Sequence, residues 1–349
     1  MNWPGLTSGS LIGVDFEGRS VKVAQASRSG SHWQVSAALV LPRAIQGPVI
    51  DRSDAEQLAG ALSRQGFRGK RLVVGVPDGT VVAGILDLPP RGSGAPLEQI
   101  ARTELANMHG YDPHAAETVC WDLPSSARPK AQTQAMAVAC KHADAEAILS
   151  AFQGTGLSVA ALDSRFHAIA RACRPLLSAS GITAILDLEW AQAVLVLLHQ
   201  GTAIYRRTLP EAAVKQLSQA LVQKLGLEPQ AAEYLVAEAG LSPQADEDPS
   251  YCATVLPILR KHIDSLAAAV KPPFAYVETQ YPGAEVDRVL LVGEGAGVPG
   301  LAGVLQSGLH VNVQLATPAG VARCPAALGV KSRDPSLTAA LGLAQYKDA

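Results

Sequence analysis

The stretch Ser10-Leu-Ile-Gly-Val-Asp15-Phe-Glu-Gly-Arg19-Ser-Val-Lys-Val-Ala-Gln-Ala26 decides how the chain is read. Its apolar residues come in two runs split by a turn at Glu17-Gly18-Arg19. A second turn at Arg28-Ser-Gly30 leads into His32-Trp-Gln-Val-Ser-Ala-Ala-Leu-Val40. β-rich runs punctuated by Gly and Ser predict a three-stranded meander, with Asp15 closing its first strand.

The same order returns far down the chain. Ile182-Thr-Ala-Ile-Leu-Asp187 turns through Leu188-Glu-Trp190 into Ala191-Gln-Ala-Val-Leu-Val-Leu-Leu198. After His199-Gln-Gly201 it ends in Thr202-Ala-Ile-Tyr-Arg-Arg-Thr-Leu209. Again an Asp closes the first strand and a Gly opens the third. A helix is expected after each meander. The first spans Ser53 to Gln65, with Asp51 or Ser53 as N-cap, Leu58 and Leu62 as its apolar stripe and Gly66 as its stop. The second spans Glu211 to Leu225, with Val214, Leu217, Leu221, Val222 and Leu225 at helical spacing. The run Arg71-Leu-Val-Val-Gly-Val76, stopped by Pro77, reads as a buried strand.

Two such halves predict an α/β chain built on the duplicated ribonuclease H-like core of actin, Hsp70 and the sugar kinases. In that core the cleft between the halves holds nucleotide phosphates between two Asp-ended hairpins. The expected division assigns residues 10–78 and 159–180 to an actin-like subdomain 1A, and 79–158 to an inserted 1C-type subdomain. Residues 181–228 and 281–349 form subdomain 2A, and 229–280 subdomain 2B. The first insert reads as βαββα: strand Thr80–Leu88, helix Pro96–His109, strands Glu117–Leu123 and Gln134–Cys140, helix Asp144–Gln153. Helix Phe166–Leu177 links the halves. The second insert holds helices and a polar, Pro-broken surface loop, Ser242 to Ser250.

Composition narrows the function classes. Apolar residues are 48% and charged residues 17%, which excludes a disordered chain. Lys+Arg at 29 against Asp+Glu at 31 leaves a net charge of -2, and the strongest basic feature is the pair Arg206-Arg207. Nucleic acid is therefore not an expected partner. The longest apolar stretch, Ala184 to Leu198, is broken by Asp187, Glu189 and Gln192, short of the ~20 residues a membrane helix requires. The opening residues carry no basic-then-apolar signal pattern. A cytoplasmic chain that reaches the inner face of a membrane only through a partner is the expectation. Five scattered cysteines predict reduced, mostly buried thiols, and the eight histidines show no metal-binding spacing.

The motifs in order resemble the type IV pilus assembly protein PilM family, relatives of the cell-division protein FtsA. Gly13-Val-Asp15 with Ser20-Val-Lys22-Val resembles the family's opening. Leu97-Glu-Gln-Ile-Ala-Arg-Thr-Glu104 resembles the first helix of its 1C subdomain. Gly154-Thr-Gly-Leu-Ser-Val-Ala-Ala-Leu-Asp163 and Phe166-His-Ala-Ile-Ala-Arg-Ala172 resemble two following stretches. Val289-Leu-Leu-Val-Gly-Glu-Gly-Ala-Gly-Val-Pro-Gly-Leu301 resembles its glycine turn, and Ala339-Ala-Leu-Gly-Leu-Ala344 its closing helix. The resemblance implies a scaffold that binds the N-terminal cytoplasmic peptide of a bitopic inner-membrane partner of the PilN kind. Self-association is a further option it leaves open. It also implies ATP and Mg²⁺, with Asp15, Gly18, Arg19, Ser20, Lys22, Asp187, Gly293 and Gly295 as nucleotide contacts.

The residues pull against that last implication. A phosphate hairpin needs glycine just after its Asp, because backbone must approach phosphate oxygens closely. Here Glu17 precedes Gly18, and the second loop, Asp187-Leu-Glu-Trp-Ala-Gln-Ala193, has neither glycine nor hydroxyl. In the glycine turn Glu294 replaces the middle glycine. Asp15 and Asp187 either position Mg²⁺ through water or bond turn amides. The glycines around 295 are either an adenosine contact or a tight strand-to-helix turn. With no general base in view near Ser164-Arg165, little hydrolysis is expected, and a nucleotide-dependent ATPase or polymerising protein is the alternative reading. Val81, Ile85, Leu88, Ile100 and Leu105 are candidate walls of a peptide groove, or ordinary core.

Overall fold

The computed structural model describes residues 10–43, 47, 50–125, 133–242 and 249–347. The chain opens with β1 (Ile12–Glu17), β2 (Ser20–Ser29) and β3 (His32–Pro42), then α1 (Arg52–Arg64) and β4 (Arg71–Val76). An inserted segment follows: β5 (Val81–Leu88), α2 (Leu97–His109), β6 (Ala116–Asp122), β7 (Thr133–Lys141) and α3 (His142–Ala151). β8 (Ser158–Ser164) and α4 (Arg165–Ala172) return to the first half. The second meander is β9 (Ile182–Leu188), β10 (Ala193–His199) and β11 (Thr202–Leu209), followed by α5 (Val214–Leu225). Then come α6 (Pro229–Glu238), α7 (Pro249–Thr254), α8 (Leu256–Gln280), β12 (Val286–Val292) and α9 (Leu301–Leu309). β13 (Asn312–Leu315), α10 (Pro318–Val321) and α11 (Thr338–Ala344) complete the described elements.

The duplication is plain in the strand order. One five-stranded sheet runs β3-β2-β1-β4-β8 and the other β11-β10-β9-β12-β13. In each, three antiparallel strands continue into two parallel ones. The α/β, actin-type duplication expected from the two meanders is therefore present. β9 and β10 are buried along their whole length, as strands covered on both faces must be.

α1 starts on a capping box. The Asp51 side chain accepts from Asp54 N–H, and the Asp54 carboxylate reaches back to Asp51 N–H. The linking helix is shorter than the sequence suggests: α4 ends at Ala172 and a 3₁₀ turn covers Arg174–Leu176. Pro175 explains this, because it lacks the N–H that a continuing α-helix would use. Likewise α5 begins at Val214, after a 3₁₀ turn at Pro210–Ala212. The expected loop 242–250 and the loop 124–130 lie largely outside the described residues.

α11 crosses beneath the first sheet at very short range. A Cβ on Gly342 would come within 1.8 Å of the Ala168 carbonyl oxygen in α4, and one on Gly13 within 2.0 Å of the Ala340 carbonyl oxygen. Only glycine permits either approach.

The inserted strands form their own sheet, ordered β5-β7-β6. Alternation places Leu86, Leu88, Ala135, Ala137 and Ala139 against α2. On the opposite face Val81, Met136 and Val138 join the core of the first half. Leu88 and Leu105 thus belong to one core, and Val81 and Ile85 to another. That favours the reading of these residues as ordinary core over the reading as walls of one groove. Trp121 on β6 donates its indole N–H to the Ala203 carbonyl of β11 at 3.0 Å, tying the insert to the second half.

Candidate functional site

Loops at the carboxyl ends of the parallel strands converge on the cleft between the halves. β1 brings Asp15, the turn after β4 brings Asp78, and the first residue of α4, directly after β8, is Arg165. From the other half β9 brings Asp187, and the β9–β10 turn brings Glu189 and Trp190. In open α/β sheets this is where ligands bind.

What meets there is a buried charge network. Arg165 is 0% exposed, and its Nη1 donates to both oxygens of Asp15, at 2.9 Å each. Its Nη2 donates to Asp187 Oδ2 at 2.7 Å and to Glu189 Oε1 at 3.2 Å. Its Nε lies 3.3 Å from Asp78 Oδ2. Lys22, 1% exposed, donates its Nζ to both Glu189 oxygens at 2.7 and 2.6 Å. Arg206 of β11 completes the set, donating to Asp78 Oδ1 at 2.8 Å.

Asp15, Asp78, Asp187 and Glu189 thus face Arg165, Lys22 and Arg206, four carboxylates against three cations. Burying carboxylates disfavours their charge, and among the described side chains of this network the carboxylates outnumber the cations by one. The consequence falls on Asp187. Burial, with Glu189 and Asp78 adding to it against the pull of Arg165, pushes its carboxyl up to about 7. Burial also raises Asp15, partly offset by Arg165 and Lys22. For Lys22 burial works downward, and the attraction of Glu189 and Asp15 outweighs it, so the ammonium titrates above its ordinary value. Asp187 Oδ1 is buried without a hydrogen-bond partner among the described residues, facing the backbone of Gly293.

The mouth of the cleft is bridged as well. Arg19, on the first hairpin turn, pairs with Glu233 of α6 at 2.6 Å and with Glu294 in the turn after β12. Its guanidinium lies 3.6 Å from the centroid of the Trp190 ring. Trp190 also covers Gly18, whose φ of +51° is the left-handed conformation that glycine tolerates. The side chain of Glu17 lies outside the described residues. Below this bridge a cavity of about 150 Å³ is lined by Ser218, Glu233 and Gly297, and beside it a second of about 270 Å³ by Ser20, Asp334 and Ser336.

Of the residues singled out in the sequence, Asp15, Lys22 and Asp187 come together, buried, at the centre. Arg19 stands at the mouth and Ser20 beside it. Gly293 and Gly295 serve packing: a Cβ on Gly293 would lie 2.5 Å from the Leu188 carbonyl oxygen, and one on Gly295 2.5 Å from the Val214 side chain. That favours the tight-turn reading of these glycines, whereas Gly297 faces open space. Sequence reasoning missed Arg165, Asp78 and Arg206. The available signal was Glu189 in place of a loop glycine, since a buried carboxylate demands a cation elsewhere.

A family model for the type IV pilus assembly protein PilM matches residues 13–347. The chain belongs to the PilM family. Among solved structures, a PilM–PilN type IV pilus biogenesis complex superposes with a TM-score of 0.76 at 19% identity, over 96% of this chain and 98% of that one. The ethanolamine utilization protein EutJ from Carboxydothermus hydrogenoformans superposes with a TM-score of 0.54 at 15% identity, over 97% and 89%. At these identities the likeness extends to the actin-type fold. Among the described residues no helix of this PilM-family chain is long and apolar enough to cross a membrane, and no group of His, Cys, Asp and Glu side chains forms a metal-binding set.

Proposed function

We propose that this chain is a scaffold of type IV pilus biogenesis, holding the cytoplasmic N-terminal segment of a bitopic, PilN-like inner-membrane partner. It does so with its inter-half cleft braced by protein charges instead of Mg-ATP. Arg165 carries this reading. Its single guanidinium ties Asp15 of the first half to Asp187 and Glu189 of the second, where a metal ion with phosphates would otherwise join the two hairpins.

ATP with Mg²⁺ does not fit the residues present. Both strand-end aspartates are engaged by Arg165, Lys22 is engaged by Glu189, and Trp190 with Arg19 roofs the space above. The unpartnered Oδ1 of Asp187 has no room for a ligand, because it abuts Gly293. A nucleotide would have to break several buried ion pairs before making its own contacts, a cost of several kcal/mol.

For the partner, the outer edge of β6 supports docking of an extended segment. β6 ends the three-stranded sheet, and Val119 in its middle is 55% exposed. An added strand would gain main-chain hydrogen bonds along this edge and an apolar contact at Val119. The partner's N-terminal peptide on resin, mixed with this chain in EDTA, should retain it as well as in Mg-ATP. No retention in either buffer, or retention in Mg-ATP alone, would sink the proposal. Val119→Glu should weaken retention without lowering the thermal midpoint.

A further inference from the structure

A cavity of about 630 Å³ lies away from the cleft. It is walled by the β2–β3 turn, the end of α4, the β10–β11 turn and the segment after α11.

Its lining is one-sided in charge. Arg28, Arg171, Arg174 and Lys347 all face it, and among the described residues no carboxylate lines it. Arg171 is committed to Asp163. Arg28 bonds the Gly30 carbonyl, and neither it nor Arg174 nor Lys347 has a carboxylate partner among the described residues. In a chain whose net charge is -2, three cations with no carboxylate partner among the described residues give this concavity a local positive field. His167, also in the lining, is held neutral: burial, with Arg171 and Arg206 nearby, takes it down to about 4.

Two further features point to an occupant. Trp33 and Tyr346 give the cavity partly buried aromatic walls. Gln345 lines it too, is only 2% exposed, and its side-chain Nε2 donates to nothing among the described residues. A buried amide N–H without an acceptor is costly and rare in a finished structure, and a rotation of the side chain toward the cavity would let an occupant's carbonyl satisfy it.

We infer that this cavity is a docking site for an acidic peptide segment of a partner protein. Carboxylates would pair with Arg28, Arg174 and Lys347. A peptide carbonyl would accept from Gln345, and an apolar side chain would fill the space between Trp33 and Tyr346. A flat anionic membrane would not enter a concavity lined by a residue as buried as Gln345, so a segment of chain fits better than a lipid surface. The site shares no lining residue with the cavities of the charged cleft, and it lies next to β6, since His167 in its lining packs on Trp121 with ring centroids 4.6 Å apart.

A random peptide library displayed on phage, selected on the intact chain, tests this. Enriched peptides should be rich in Asp and Glu with an aromatic or aliphatic residue between them. Synthesised and labelled, they should lose at least tenfold in affinity against Arg28→Glu/Arg174→Glu and weaken as salt rises. Gln345→Leu should also weaken binding while leaving the thermal midpoint unchanged or higher, which a merely structural glutamine would not do. Enriched peptides that are not acidic, that bind the variants equally well, or that fail to appear would overturn the inference. So would binding of the chain to phosphatidylglycerol vesicles that is lost in the same variants while the peptides still bind.

Discussion

Lys22 of β2 and Glu189 of the β9–β10 turn form a two-pronged ion pair, Nζ lying 2.7 and 2.6 Å from the two carboxylate oxygens, both side chains buried. The pair joins the two halves directly. Removing one partner strands a charge in a dry site, at a cost of about 3–5 kcal/mol. Lys22→Met and Glu189→Gln should each lower the urea midpoint sharply. The double variant should be less destabilised than the sum of the singles, because no charge is then left alone. Additive losses in this cycle would mean that the pair does not hold the cleft.

Asp187 makes stability fall as pH rises. Its carboxyl titrates near 7 in the folded chain against an ordinary value of 3.8, so between those values the folded state holds a proton that the unfolded state has released. Stability from this group is greatest below about pH 4 and declines up to about pH 7, by an amount on the order of a few kcal/mol. Lys22 acts in the alkaline range: its raised value means its contribution is full below 10.5 and fades only as pH climbs through the folded value. Urea midpoints measured from pH 5 to 8 should fall in the parent chain, and the fall should be shallower in Asp187→Asn. An identical slope in both would place the surplus charge elsewhere.

The contact of α11 with α4 leaves no room for a methyl group. Gly342→Ala puts a carbon about where the Ala168 carbonyl sits, so the two helices must separate. A loss of more than about 4 kcal/mol, seen as insoluble expression or a collapsed thermal midpoint, is expected. Gly297→Ala, with nothing within 4 Å of its Cβ, should be nearly silent and serves as the control.

Thiol reactivity should divide the cysteines. All five are free; Cys173 is fully buried, and burial, with Asp187 nearby, raises its thiol to about 12. The other four are partly exposed, which corrects the expectation that most are buried. Iodoacetamide on the folded chain should modify up to four sites and spare Cys173 until denaturant is added. Early modification of Cys173 would show that the region beneath the cleft opens in the native state.

The two meanders were legible because strand pairing is local and its signals are short-range: Gly18 at a hairpin turn, Asp51 as a cap, apolar residues at fixed spacing. The βαββα order of the insert was legible for the same reason. The charge network was not, since Arg165 and Asp15 are 150 positions apart and no periodicity links them. Arg165 opens a helix whose sequence reads as an ordinary amphipathic one, and only the closing of the two sheets upon each other turns it inward. The sequence did show one side of that event, in Glu189 and Trp190 standing where the family resemblance leads one to expect glycine. It could not show which cation Glu189 would meet. Between groove wall and ordinary core the alternation along β5 favours core, because Val81 and Leu88 are an odd number of residues apart on one strand and so face opposite sides of it.

Titration calorimetry of Mg-ATP into the purified chain, run at two temperatures so that a vanishing enthalpy does not hide binding, tests the braced cleft most directly. The account predicts no saturable heat up to millimolar nucleotide, for the parent chain and for Asp15→Ala alike. Saturable binding by the parent chain that disappears in Asp15→Ala would contradict it, because Asp15 would then be serving a nucleotide and not Arg165.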